Sequence, residues 1–258
     1  MRDMNTAHII MQSKGATGKS LIAAFLAEYF HEKYGDLNII STGSLHYTLE
    51  KYKALSVTKI QHDKKNNQIN QAKFDDIFEG LVTDDADHVD RRSVILDTSS
   101  NDFISFNGYA IDNKLEEIFS EYNKQLTIHC PIVYGRSKDE TIDCLLQILK
   151  DYPATPVVVW ENEFFGKSEN SFIHKDLFNS PNNIIGMVRI GDITSDIEKH
   201  AFYKMLENYL LFNEVGEDHR FTAIEKDALD LIRNKIWEQL DTVVQSGTSK
   251  IINNTSEV

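Results

Sequence analysis

Residues 12–30, QSKGATGKSLIAAFLAEYF, decide the fold. They follow an apolar run, AHIIMQ (7–12), and open a helical pattern in which Leu21, Ile22, Phe25, Leu26 and Tyr29 fall at spacings that share a helix face. A strand-to-helix turn with Gly15 and Gly18 ahead of Lys19 and Ser20 suits phosphate. Backbone N–H groups converge at a helix start, where the dipole favours negative charge, and glycine permits the tightest bends. In this register Lys19 reaches the terminal phosphates and the Ser20 hydroxyl binds Mg²⁺. Gly15, Ala16, Thr17, Gly18, Lys19, Ser20 and Leu21 are the candidate nucleotide-binding residues.

The core pattern GxxGK[ST] arises by accident in about one chain of this length in a hundred, and the strand-then-helix context lowers that figure. Ser13 stands where the ordinary GxxxxGK[ST] loop has its first glycine, so the pattern that fits is a deviant one, KGGxGK[ST]. Lys14, Gly15, Gly18, Lys19 and Ser20 are in place, and Ala16 replaces a glycine. A methyl group at position 16 matters only where the backbone takes a positive φ.

Working outward, short β-branched runs alternate with longer amphipathic stretches, the pattern of repeated βαβ units. Strands are expected at AHIIMQ, LNIIS, SVILDT, QLTIHCPIV, PVVVWEN and NIIGMVRI. Helices are expected at KSLIAAFLAEYFHEKY, YTLEKYKAL, AKFDDIFEGLV, NKLEEIFSEYN, DETIDCLLQILKDY, TSDIEKHAFYKMLENYLLF and IEKDALDLIRNKIWEQLDTVVQ. The expected architecture is α/β: a mostly parallel twisted sheet with helices on both faces, a P-loop NTPase fold, and a helical C-terminal part. With four prolines and twelve glycines spread along the chain, no linker divides it. Residues 1–245 are expected to form one domain and residues 246–258 a frayed tail.

A net charge of −13, from 40 acidic and 27 basic residues, repels phosphate backbones and argues against direct nucleic-acid binding. The basic pairs Lys64-Lys65 and Arg91-Arg92 are too short to reverse that field. Cys130 and Cys144 have no CxxC spacing, and the N-terminus is too short in apolar residues for a signal segment. No apolar stretch reaches membrane-spanning length, so a cytoplasmic location without membrane insertion is expected.

A second element supports the loop. SVILDT runs to Asp97, and a carboxylate at the carboxyl end of a strand beside the loop can hold Mg²⁺ through water. Asp97 and Ser20 are therefore the candidate metal residues.

With its early lysine, the loop resembles the ParA/MinD group of P-loop ATPases. The stretches YKALSVTKI, KFDDIFEGL and VVVWENEFFG resemble the TraL-like conjugal transfer proteins inside that group. The resemblance covers most of the chain. It implies ATP and Mg²⁺ as cofactors, a homodimer in which Lys14 reaches the partner's nucleotide, and protein partners in a conjugation or secretion apparatus. Lys14 and Lys19 become the candidate catalytic cations, and Asn162, at the end of VVVWEN, the candidate reader of the adenine edge.

The same resemblance exposes a deficit. The group positions attacking water with a DxD stretch after the second strand, and here Ser41, Thr42 and Gly43 occupy that place. Asp36 lies at the other end of the strand and Glu50 on the expected following helix, so neither is an obvious replacement. Binding with slow or absent hydrolysis is the expectation. Two other readings stay open: a scaffold that has lost nucleotide binding, and a P-loop transferase of the dethiobiotin synthetase sort. The nine histidines lack HExxH spacing, and no serine sits in a GxSxG elbow. The apolar stripe of the last helix, Leu229, Ile232, Ile236, Leu240 and Val243, is diluted by acids and is read as a packing face.

Overall fold

A computed structural model describes residues 6–43, 48–60, 62, 69, 72–82, 93–122, 124–167, 183–191 and 193–254. Lys64-Lys65 and Arg91-Arg92 lie outside them. A seven-stranded sheet runs in the order β3-β2-β4-β1-β5-β6-β7, with every neighbouring pair parallel. The strands are β1 (Thr6–Ile10), β2 (Asn38–Ser41), β3 (Val57–Lys59), β4 (Val94–Asp97), β5 (Gln125–Val133), β6 (Val157–Asn162) and β7 (Ile184–Ile190). The helices are α1 (Lys19–Tyr34), α2 (Ala72–Val82), α3 (Phe103–Asp112), α4 (Leu115–Glu121), α5 (Lys138–Asp151), α6 (Asp196–Glu207), α7 (Phe212–Val215) and α8 (Ala223–Asn254).

Successive strand residues point to opposite faces, and both faces are covered. Ile10, Ile39, Ile95, Val158 and Trp160 enter one apolar cluster together with α1, α6, α7 and α8. Their neighbours Ile9, Ile40, Leu96, Val157 and Val159 enter the other, with α2 to α5. This two-sided burial is why the strands read as continuous apolar runs.

Helix α1 is the best-buried helix of the first cluster. Phe25 stacks on Phe212 at 5.1 Å, and Tyr29 meets Trp237 edge-on at 5.6 Å, so the C-terminal helices lie over its outer side. Glu28 ties them down: its carboxylate accepts from the backbone N–H groups of Phe212 (3.0 Å) and Asn213 (2.7 Å). Burial pushes that carboxyl up to about 7. A buried chain crosses the sheet from Trp160, whose indole N–H donates to Nδ1 of His129 at 2.9 Å. That fixes the His129 tautomer, and its Nε2–H donates to Nδ1 of His8 at 3.0 Å. Desolvation holds both imidazoles well below the ordinary histidine value, so they stay neutral.

The fold departs from the sequence reading in five places. Strand β3 is three largely exposed residues at the sheet edge, too short and polar to carry a period. Helix α3 was hidden by Asn107 and Gly108, although Phe103, Phe106, Tyr109 and Ala110 fall at helical spacing and are buried. The expected helix YTLEKYKAL is only a 3₁₀ turn over Leu49–Lys51, with 44–47 outside the described residues. The expected helix 194–212 breaks after Glu207, where Tyr209 takes φ 53° before α7 begins. Helix α8 continues past Gln245 to Asn254, into the segment expected to fray, while 255–258 lie outside the described residues.

Candidate functional site

The loop after β1 lies at the carboxyl edge of the sheet, between the ends of β4 and β5. Ile10 is in register with Asp97 on one side and His129 on the other. In open α/β sheets this edge is where ligands bind. Gly18 takes φ 94° and caps the start of α1, and Gly15 lies beside Ser100. Lys19 is buried, and its Nζ donates to the carbonyl of Lys14 at 3.0 Å, closing the loop on itself. Burial lowers its pKa, an effect opposed by the charge of Asp97. Thr17 is buried, and its hydroxyl donates to the Lys14 carbonyl at 3.4 Å. Leu21 packs half-buried against the core, leaving only its backbone near the helix start.

Ala16 takes φ 60°, the left-handed region that the sequence could not settle. A Cβ there costs roughly 1–2 kcal/mol, partly offset by the lower chain entropy of unfolded alanine. Ala16→Gly is therefore expected to stabilise the fold by some tenths to about 1 kcal/mol, a rise of roughly 1–4 °C in thermal melting. A lower melting temperature would contradict this loop conformation.

The candidate metal residues Ser20 and Asp97 lie together: the Ser20 hydroxyl donates to Oδ2 at 2.7 Å. The other oxygen, Oδ1, is buried without a hydrogen-bond partner. Desolvation raises the Asp97 carboxyl to about 6, against the lowering pull of Ser20 and Lys19. A hydroxyl and a partly unsatisfied carboxylate at the foot of a phosphate loop make a donor set that fits Mg²⁺ held together with a nucleotide's phosphates.

Asn162 and Lys14 both have partners within the chain. The Asn162 amide faces the loop: Nδ2 donates to the Thr17 carbonyl at 3.1 Å, and Oδ1 accepts from the N–H of Phe164 at 3.1 Å. Engaged on both sides within the chain, it braces the loop in the position expected to read adenine. Lys14, expected to reach a partner, forms an ion pair with Glu140 in the first turn of α5.

The place of the missing DxD is filled by a hydrogen-bonded cluster. Ser41 and Thr42 are buried, and the Ser41 hydroxyl accepts from the N–H of Gly43 at 3.2 Å. Asp102 accepts from Thr42 Oγ1 at 2.9 Å and pairs with His62 Nε2 at 2.9 Å. Its oxygens are spent on this cluster. Asp36 precedes β2, at the amino edge of the sheet, and stays remote from the loop.

Sequence reasoning missed Gln12. It is fully buried, donates to the carbonyls of Pro131 (2.8 Å) and Thr141 (3.2 Å), and accepts from the Lys14 N–H at 3.3 Å. The base of the loop is thereby pinned to β5 and α5. A polar residue ending an apolar run was the available signal.

Two curated proteins, each described as Protein TraL from Escherichia coli, align with 92% of this chain and 98% of their own length, at 27% and 25% identity. The chain is similar to TraL. The crystal structure of a ParA family ATPase from Chlorobium tepidum superposes with a TM-score of 0.50, covering 90% of this chain and 98% of that one at 13% identity. That likeness carries the fold: a ParA-type P-loop α/β sheet. No family model matches the chain. Among the described residues no helix is long and apolar enough to cross a membrane.

Proposed function

We propose that the chain is a cytoplasmic ATP-dependent switch of the ParA/MinD type, acting as TraL-like proteins of conjugative or secretion systems are expected to act. One observation carries the reading: Lys19 and the Ser20–Asp97 pair converge at the end of β1, under a loop with the deviant lysine at position 14. With ATP bound, Lys19, which now donates to the Lys14 carbonyl, would supply the charge that meets the phosphates, and backbone N–H groups of residues 15–21 would supply further donors. Ser20 and Asp97 would hold Mg²⁺, which neutralises phosphate charge. Isothermal titration with ATP, ADP and a non-hydrolysable analogue, with and without Mg²⁺, tests this. Absence of binding under all conditions leaves the scaffold reading.

The nucleotide-bound chain forms a face-to-face homodimer through Lys14. An exposed ion pair such as Lys14–Glu140 contributes only about 0–1 kcal/mol, so the lysine is readily released to a partner's phosphates. Lys14→Ala is expected to bind ATP normally yet stay monomeric in sedimentation with saturating nucleotide. A wild type that stays monomeric under the same conditions removes the dimer from this proposal.

Hydrolysis is slow, because Ser41, Thr42 and Gly43 offer no carboxylate to position water. Restoring Ser41→Asp together with Gly43→Asp is expected to raise the single-turnover rate roughly tenfold or more, a modest share of what a placed base supplies. Ser41 is buried, so thermal melting must accompany the kinetics. A brisk wild-type ATPase overturns the claim of lost catalysis.

A further inference from the structure

Three successive residues ahead of Gly15 are held by one helix, α5. The Gln12 amide donates to the Thr141 carbonyl of α5 at 3.2 Å, and to the Pro131 carbonyl of β5 at 2.8 Å. The Ser13 N–H donates to Sγ of Cys144, one turn further along α5, at 3.3 Å. The Lys14 side chain pairs with Glu140, and the Lys14 N–H donates to Oε1 of Gln12 at 3.3 Å. Gln12 and Cys144 are both buried.

The residues that follow are not held in this way. Among the described residues, the N–H groups of Gly15, Ala16, Gly18, Lys19, Ser20 and Leu21 have no hydrogen-bond acceptor. The helix ladder begins at Ile22, whose N–H donates to the Gly18 carbonyl at 2.9 Å. The loop is therefore clamped through Lys14 and open from Gly15. An N–H already bonded inside the protein is not offered to a phosphate oxygen, and a buried donor holds its acceptor because leaving it unmatched is costly. Without Gln12 and Cys144, the N–H groups of Lys14 and Ser13 would be two more orphan donors on the same turn.

We propose that Gln12 and Cys144 are positioning residues for the nucleotide: by engaging the N–H groups of Lys14 and Ser13 they fix Gly15 as the start of the phosphate cradle. The clamped half keeps its backbone in place while the open half closes on the phosphates. Neither side chain touches the nucleotide. Helix α5 becomes the frame from which the loop is aimed, since Glu140, Thr141 and Cys144 all hold it from two turns. The assignment rests on the nucleotide-binding reading above and deepens it.

Amide hydrogen exchange, read by nuclear magnetic resonance on the full chain with and without Mg²⁺ and ATP, locates the boundary directly. Ser13 and Lys14 are expected to be protected in both states, whereas Gly15, Ala16 and Gly18 gain roughly tenfold or more protection only with nucleotide. Titration with ATP then separates hydrogen bonding from packing. Cys144→Ala leaves the Ser13 N–H without its acceptor and is expected to weaken ATP binding roughly threefold or more, and Cys144→Ser, which keeps an acceptor, to restore most of that loss. Gln12→Met, similar in length but without an amide, is expected to weaken it roughly tenfold or more. Should Gln12→Met fail to fold, the exchange data and the Cys144 pair decide the matter. A wild type that binds no ATP overturns the nucleotide reading and this one with it. A wild type that binds ATP but protects Ser13 and Lys14 only with nucleotide, or equal affinities in Cys144→Ala and Cys144→Ser, overturns the positioning assignment alone.

Discussion

Lys19→Ala is expected to abolish measurable ATP binding while the protein still folds. The ammonium at position 19 is the one side chain of the loop placed to meet the β- and γ-phosphates, and losing a charge-assisted contact of this kind costs roughly 2–4 kcal/mol, about 30- to 1000-fold in Kd. The fold tolerates the change because the lysine's single hydrogen bond runs to a loop carbonyl, and because its burial already disfavours the charge. Isothermal titration measures the affinity, and a melting curve close to wild type certifies the fold. Titration curves that match the wild type would remove ATP from the account and leave an interaction protein on a P-loop scaffold.

Gly18→Ala is expected to damage both the fold and the site. The residue combines φ 94° with a crowded neighbour: a Cβ there would stand 2.7 Å from Asn162 Nδ2. The left-handed backbone costs roughly 1–2 kcal/mol and the collision about 1–3 kcal/mol, a total of roughly 2–5 kcal/mol. For a chain of this size that lowers melting by roughly 4–20 °C. The two parts separate in a double-mutant cycle. Asn162→Ala added to Gly18→Ala removes the collision and leaves the backbone term, so the pair should be less destabilised than the sum of its singles. Additive losses would mean that Asn162 does not brace the loop as described.

Asn162 illustrates what the sequence conceals. Its position at the end of a strand was legible, since VVVWEN reads as a buried strand followed by a turn. Whether the amide reads a base or ties down a loop depends on where Thr17 lies, 145 residues away, and no local pattern encodes that distance. Lys14 poses the same difficulty: its partner, Glu140, opens a helix on the far side of β5. Asp97 was the opposite case. The strand ends there, the loop strand is its parallel neighbour, and the hydroxyl at position 20 donates to its carboxylate.

Local chemistry determined most of the architecture. The six longer strands, the phosphate loop and the main amphipathic helices follow from side-chain period, from β-branching, and from glycine at the turn into α1, all of which act over a few residues. Three features required the assembled molecule. The C-terminal helices cover α1 because Phe212 and Trp237 find Phe25 and Tyr29 across the chain. Strand β3 exists because the edge of β2 offers it a ladder of hydrogen bonds, since its three residues carry no pattern of their own. Glu50, expected on the helix after the second strand, has both carboxylate oxygens shielded only when its turn packs between the core and Tyr209. Charge buried by tertiary packing changes its chemistry through desolvation, and desolvation is a property of the fold.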